Sequence, residues 1–230
     1  MYSILDVRTA NSRPTSDLTA RARIIDAAVL VFADQGVAAS MRAIAAAAGV
    51  SPGLITHHFG TKEALKAECD ERVLDTYTTL NMAGIADPMG SMGIIEGSAP
   101  EQAEQVSTLT AYVLRAFLDG GPTAQQFYQR FLGRTREIMT AAAASGMVRP
   151  ECADEAHLQY LAASNLGFML VQLVTDPPES SVGYYQHLML RPEVITAMID
   201  VFTRGVFTDN QILAGYQTAI NKKEKSEQNV

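Results

Sequence analysis

Residues 40–60 hold two short helices back to back, divided by a glycine, and no other part of the chain constrains the fold as tightly. Ser40 is a favourable N-cap, because its side-chain oxygen can accept an otherwise unpaired N–H of the first turn. The helix it opens runs through Ile44 to about Ala48, where Gly49 stops it. Ser51-Pro52 opens the next helix, with Ser as N-cap and Pro at the first helical position, where a missing N–H costs nothing. That helix ends near Phe59-Gly60. The small side chains before Gly49 let the second helix pack closely on the first. This is helix-turn-helix geometry, in which the second helix lies in the major groove of DNA.

The surrounding sequence completes a head. From Asp17 onward, Ile24, Ala28, Val31 and Phe32 recur at spacings of three and four, one stripe of a helix that Gly36 can cap. Thr61 caps a fourth helix, with Leu65, Cys69, Val73, Tyr77 and Leu80 on one face. Residues 1–16 read as a flexible arm, 17–80 as the helix-turn-helix domain with its recognition helix at about 51–59. Residues 81–220 read as a second, larger helical domain, and 221–230 as a disordered tail. The glycines and prolines between Ala83 and Pro100 mark a linker. Beyond it the pattern predicts helices over about 101–119, 122–145, 151–175 and 192–207, with a weaker one near 209–220. Period-2 runs of convincing length are missing. The expected fold class is all-α, a three-helix N-terminal head joined to a larger helical domain.

Charge is unevenly spread. The chain carries a net −7, which alone argues against a uniformly basic nucleic-acid binder. Residues 13–66, however, balance to +2, whereas 81–230 balance to −6, a slightly basic head on an acidic body. Cys69 and Cys152 lie 83 positions apart, which excludes a disulfide scaffold and a C-x-x-C zinc cluster. The opening residues lack a basic start followed by an apolar run, so no signal peptide is expected. Leu158–Val174 is apolar but interrupted by Gln159, Ser164, Asn165 and Gln172, and reads as a buried helix of a cytoplasmic protein, not a membrane span.

Residues 40–65, SMRAIAAAAGVSPGLITHHFGTKEAL, resemble the DNA-binding head of the TetR family of transcriptional regulators. The preceding helix, with Ile24, Ala27, Ala28, Phe32 and Gly36, resembles that family's first helix, so the likeness spans roughly 19–79. It implies a sequence-specific regulator, a repressor released from a palindromic operator by a small molecule. Ser51, Pro52 and Gly53 form the start of the recognition helix, where free N–H groups and the helix dipole suit a phosphate and where Gly53 lets the backbone approach DNA. Thr56 can hydrogen-bond a base or touch a thymine methyl, and His57 can bond a phosphate or base. Ser40 and Arg42 open the second helix. The resemblance puts Arg42 at the groove, where arginine can bind guanine O6 and N7. Lys62 opens the fourth helix and suits a backbone phosphate. Arg8 and Arg13 of the arm could enter a minor groove. The family usually carries an aromatic residue where this chain has Thr56, whose shorter side chain reaches less far.

Other chemistry is weakly represented. His57 and His58 point about 100° apart on a helix, with no acidic or thiol partner nearby, so no metal is expected. His58 is expected to be partly buried within the head. Catalytic motifs such as G-x-S-x-G, a Walker loop or H-E-x-x-H are missing, so neither enzyme nor cofactor is implied. In the body, Leu158, Leu161, Asn165, Met169 and Leu173 make one stripe, with Ala162, Leu166, Leu170 and Val174 beside it. A helix apolar over so wide an arc is buried on two sides. Together with Ile195, Met198, Ile199, Phe202 and Val206, the resemblance implies a homodimer through 151–175 and 192–207. It also implies a ligand pocket near the aromatics of 101–145, with Tyr112, Arg115, Tyr128, Asn165 and Gln172 as candidate polar anchors. The alternatives are a DNA-binding regulator controlled by protein contacts without a pocket, and, more remotely, an all-helical enzyme.

Overall fold

The computed structural model describes residues 20–88, 100–176 and 192–227, and every regular element among them is helical. α1 (Ala20–Gln35) is followed by a 3-10 turn (Gly36–Ala38), α2 (Met41–Ala48), α3 (Pro52–Phe59) and α4 (Lys62–Ala86). Then come α5 (Pro100–Leu118), α6 (Gly121–Ala144), a 3-10 turn (Pro150–Ala153) and α7 (Glu155–Thr175). α8 (Pro192–Arg204) and α9 (Gln211–Glu227) lie in a second compact unit that starts at Arg191. The arm at 1–16, with Arg8 and Arg13, lies outside the described residues.

The first unit has one apolar core, fed by every helix from α1 to α7. Ile24, Ala28 and Phe32 of α1 meet Ile44, Ile55, Phe59, Leu65, Cys69 and Val73 of the head, and Tyr112, Leu114, Phe127 and Phe131 of α5 and α6 continue the same cluster. α1 packs on α2, α4 and α5, and α4 packs on α6 as well. The head therefore has no core of its own. α4 is longer than the sequence suggests: it runs past Leu80 to Ala86, because Ala83-Gly84-Ile85-Ala86 continues the turn and Pro88 disfavours helix at Asp87.

Charge is built into this core. Lys66 and Asp70, one turn apart on α4, are both buried and paired at 2.6 Å. The Lys66 ammonium lies 4.6 Å from the Tyr112 ring centroid, 5.6 Å from Phe127 and 5.9 Å from Phe32. Tyr112 donates its hydroxyl to Asp70 at 2.7 Å, and Arg130 of α6 donates to the other Asp70 oxygen at 2.8 Å. A ladder on the surface continues the contact: Arg130 to Glu71 at 2.7 Å and Arg134 to Asp75 at 2.6 Å. Burial, and then the neighbouring Asp70 charge, push the Tyr112 hydroxyl far above its ordinary range. Burial acts against the Arg130 charge, but its bonds to Glu71 and Asp70 outweigh that and raise its pKa.

α7 is long and apolar enough to cross a membrane by length and composition. Leu158 and Ala162 are buried, Leu166, Met169, Leu170 and Leu173 pack on the core, and Tyr160, Val171 and Val174 face outward. In the second unit, α8 ends at Arg204 instead of about 207 because Gly205 takes a left-handed backbone at φ +78. α9 is helical through Glu227, where a disordered tail from 221 was expected. Lys and Glu are good helix formers, and they carry the helix on.

Two outcomes follow. Asp70→Ala strands the buried Lys66 charge and should cost about 3–5 kcal/mol, against about 1–2 kcal/mol for Tyr112→Phe, measured by urea unfolding. Cys69 is fully buried and its thiol is pushed up to about 12, chiefly by burial, whereas Cys152 is half-buried. A thiol reagent at neutral pH should label Cys152 alone in the native chain and both cysteines in denaturant, read by intact mass.

Candidate nucleic-acid interface

The turn between α2 and α3 is closed by backbone geometry. Gly49 sits in the left-handed region at φ +65, and its N–H returns to Ala46 O while Val50 N–H returns to Ala45 O at 3.0 Å. This is a glycine C-cap of the kind that ends a helix sharply. Ser40 Oγ accepts the Ala43 N–H at 3.1 Å and Ser51 Oγ accepts the Leu54 N–H at 3.3 Å. Both serines thus cap the helices that the sequence assigns to them. Ile44, Ile55 and Phe59 turn into the core and fix α2 and α3 against α1 and α4.

The other face of the pair is open. Ser40, Arg42, Ser51, Pro52, Gly53, Thr56, His57 and His58 are all exposed. His58 is therefore not partly buried as expected; its ring stands edge-on to His57, with centroids 5.5 Å apart. The side chains that fill the interior at this end of α3 are Ile55 and Phe59, which leaves His58 on the outside. Thr56 donates its hydroxyl to Pro52 O at 3.3 Å, within the helix, and keeps its acceptor capacity. A Cβ added at Gly53 would meet only Ser51 Oγ, at 3.9 Å, so the fold itself does not demand glycine there.

Lys62 differs from the rest. It is half-buried, and its ammonium donates to Val37 O at 2.7 Å, with Ala39 O at 3.4 Å. Arg21 of α1 stacks its guanidinium over Phe59 at 5.1 Å and pairs with Glu68 of α4, which steadies the end of α3. The Glu63 carboxyl is held below the usual carboxylate range by a backbone hydrogen bond and then by Thr61, beside the N-terminus of α4. Neither Lys62's inward bonds nor the Arg21 stack carries a sequence signal, since both partners are distant in the chain.

The five residues considered as ligand anchors differ in exposure and in what they already bond. Tyr112 is buried against Asp70, and Arg115 donates to Asp34 O at 2.8 Å. Tyr128 and Gln172 are half-buried, Tyr128 edge-on to Phe117 at 5.8 Å, and Asn165 is exposed. The aromatics around them are core: Phe117 stands T-shaped to both Phe127 and Phe131. A shallow depression between α4 and α6 is lined by Glu71, Arg130, Gly133, Arg134 and Glu137, none of them among the five.

Comparison with known proteins agrees with this geometry. Residues 24–69 match the family model of bacterial regulatory proteins of the tetR family, and 104–208 match the tetracyclin repressor-like C-terminal domain. The chain is 31% identical over 225 residues to the HTH-type transcriptional regulatory protein RaaS of Mycobacterium tuberculosis, covering 94% of this chain and 99% of that protein. Over 46 residues, 20% of this chain and 23% of the other, it is 52% identical to the HTH-type transcriptional regulator BetI of Rhizobium meliloti. The fold is also that of a Clostridium perfringens protein assigned to fatty acid metabolism regulation, at 16% identity and TM-score 0.50, covering 81% of this chain and all of that one. With helix-turn-helix and body both matched along nearly the whole length, the chain belongs to the TetR family of transcriptional regulators and is a DNA-binding regulator.

Proposed function

We propose that this regulator is a cytoplasmic homodimer that represses its target genes by placing α3 in successive major grooves of a near-palindromic operator, and that a small molecule bound in the body releases it. The open face of α2 and α3 carries this reading. Ser51, Pro52 and Gly53 offer a helix N-terminus to phosphate, and Arg42, Thr56 and His57 offer side chains to base edges. A short helix reads few base pairs, so a twofold pair of heads supplies the missing specificity. Tyr160, Val171 and Val174 on α7, and Ile199, Val201 and Phe202 on α8, are exposed apolar side chains that a second copy would cover.

Release by a ligand would be a population shift, limited by the ligand's differential affinity for the two states. Tyr128, Asn165 and Gln172 are the polar anchors that support this reading best. Tyr112 and Arg115 are already bonded within the chain, to Asp70 and to Asp34 O, and are not counted among these anchors.

Binding to a duplex selected from a random library by the wild-type protein tests the interface. Arg42→Ala should cost about 1–3 kcal/mol and relax preference at one base pair. Gly53→Ala should leave thermal stability unchanged or raise it by up to about 1 kcal/mol on helix propensity, yet weaken DNA binding by crowding the backbone. Lys62→Ala should lower the melting temperature, because it frees Val37 O and Ala39 O, and should weaken binding to the selected duplex through the turn that it holds. If Arg42→Ala and Gly53→Ala both bind like wild type, the interface lies elsewhere. Val174→Asp and Phe202→Asp should give monomers by light scattering; intact dimers in both would place the subunit contact on other helices.

A further inference from the structure

The turn between α1 and the helix-turn-helix is held by directed hydrogen bonds from two sides. Asp119, just past the end of α5, accepts the Val37 N–H through Oδ2 at 2.9 Å. Its Oδ1 lies 2.6 Å from where a Cβ on Gly36 would stand, and Arg115 Cδ lies 3.0 Å from the same point. Gly36 has φ +64, so glycine is required there by both backbone and space. Arg115, one turn back on α5, donates to Asp34 O at 2.8 Å near the end of α1. On the far side of the turn, Lys62 of α4 donates to Val37 O and Ala39 O. Ala39 precedes the Ser40 cap of α2, and Lys62 follows the Thr61 cap that comes after α3. The body's α5 is thereby tied, through one turn, to both flanks of the reading unit.

The apolar core already fastens α1 to α5, through Ala28 and Phe32 on one side and Tyr112 on the other. Apolar contact is non-directional, whereas a hydrogen bond weakens steeply when its angle is lost. What Asp119 and Arg115 add is therefore orientation more than adhesion. We propose that Asp119 and Arg115 are positioning residues for DNA recognition, setting the angle of the α2–α3 pair on the body so that the recognition helices keep the spacing that a specific site requires. This rests on the DNA interface described above. Both side chains are at least partly exposed, so their replacement leaves the core intact.

The test uses the full-length chain and two duplexes, the one selected by wild type and a scrambled duplex of the same length and composition, with affinity measured by fluorescence anisotropy over a range of salt. Asp119→Ala and Arg115→Met should each bind the selected duplex at least roughly fivefold more weakly, the lower end of ordinary coupling between sites. Affinity for the scrambled duplex and the salt slope should stay at wild-type values, because every phosphate-contacting group remains. Asp119→Asn keeps an oxygen acceptor for Val37 and should recover most of the loss. An unchanged ratio of the two affinities in both variants, or an equal loss on both duplexes, overturns the positioning role while leaving DNA binding standing. If wild type selects no duplex at all, the interface reading falls and this proposal falls with it.

Discussion

The buried pair of Lys66 and Asp70 is the constraint on which the rest of the first unit depends. An ammonium and a carboxylate removed from water are tolerated only when each is fully partnered. Here the partners come from four helices: Phe32 on α1, the pair itself on α4, Tyr112 on α5, and Phe127 and Arg130 on α6. The three rings lie against the ammonium, and the Tyr112 hydroxyl and Arg130 guanidinium each donate to Asp70. Withdrawal of any neighbouring helix would strip a ring or a hydrogen bond from the pair and leave it less well compensated. The pair thus ties α1 and α4 to α5 and α6 within the first unit.

α4 joins the helix-turn-helix to α5 and α6 along its length. At 25 residues it spans about 37 Å at the helical rise. Its first residue, Lys62, holds the turn before α2; its second and third turns carry the buried pair; its middle carries Glu71 and Asp75 to Arg130 and Arg134 of α6. α6 is therefore joined to the flank of α3 through one continuous helix and not through loops. The Asp119–Val37 and Arg115–Asp34 bonds give a second, shorter route from α5 to the same turn. Two attachments at different points define an angle, which one attachment cannot do.

Much of the head was legible in the chain because its information is local. Ser40, Ser51 and Thr61 cap helices within three residues of themselves, and Gly49 and Gly60 close them by a backbone conformation open to glycine. The apolar stripe of α1 and the faces of α4 followed from spacing alone. The errors came where local signals were weak or shared. Asn221–Glu227 looked like a solvated tail, since its charged residues mark disorder and helix propensity equally. His58 was assigned inward although the core at that end of α3 is filled by Phe59.

By itself, then, the sequence determined the helices, their caps, the tight turn at Gly49 and the family, because each is encoded by residues a few positions apart. Only the tertiary structure decided that a Lys–Asp pair of ordinary surface spacing is buried among three rings, that Lys62 turns inward to two carbonyls, and that Tyr112 and Arg115 bond to Asp70 and Asp34 of the same chain. Those outcomes depend on side chains tens of positions distant arriving at one place, and the free energy of burying a charge is set by what surrounds it, not by what adjoins it along the chain.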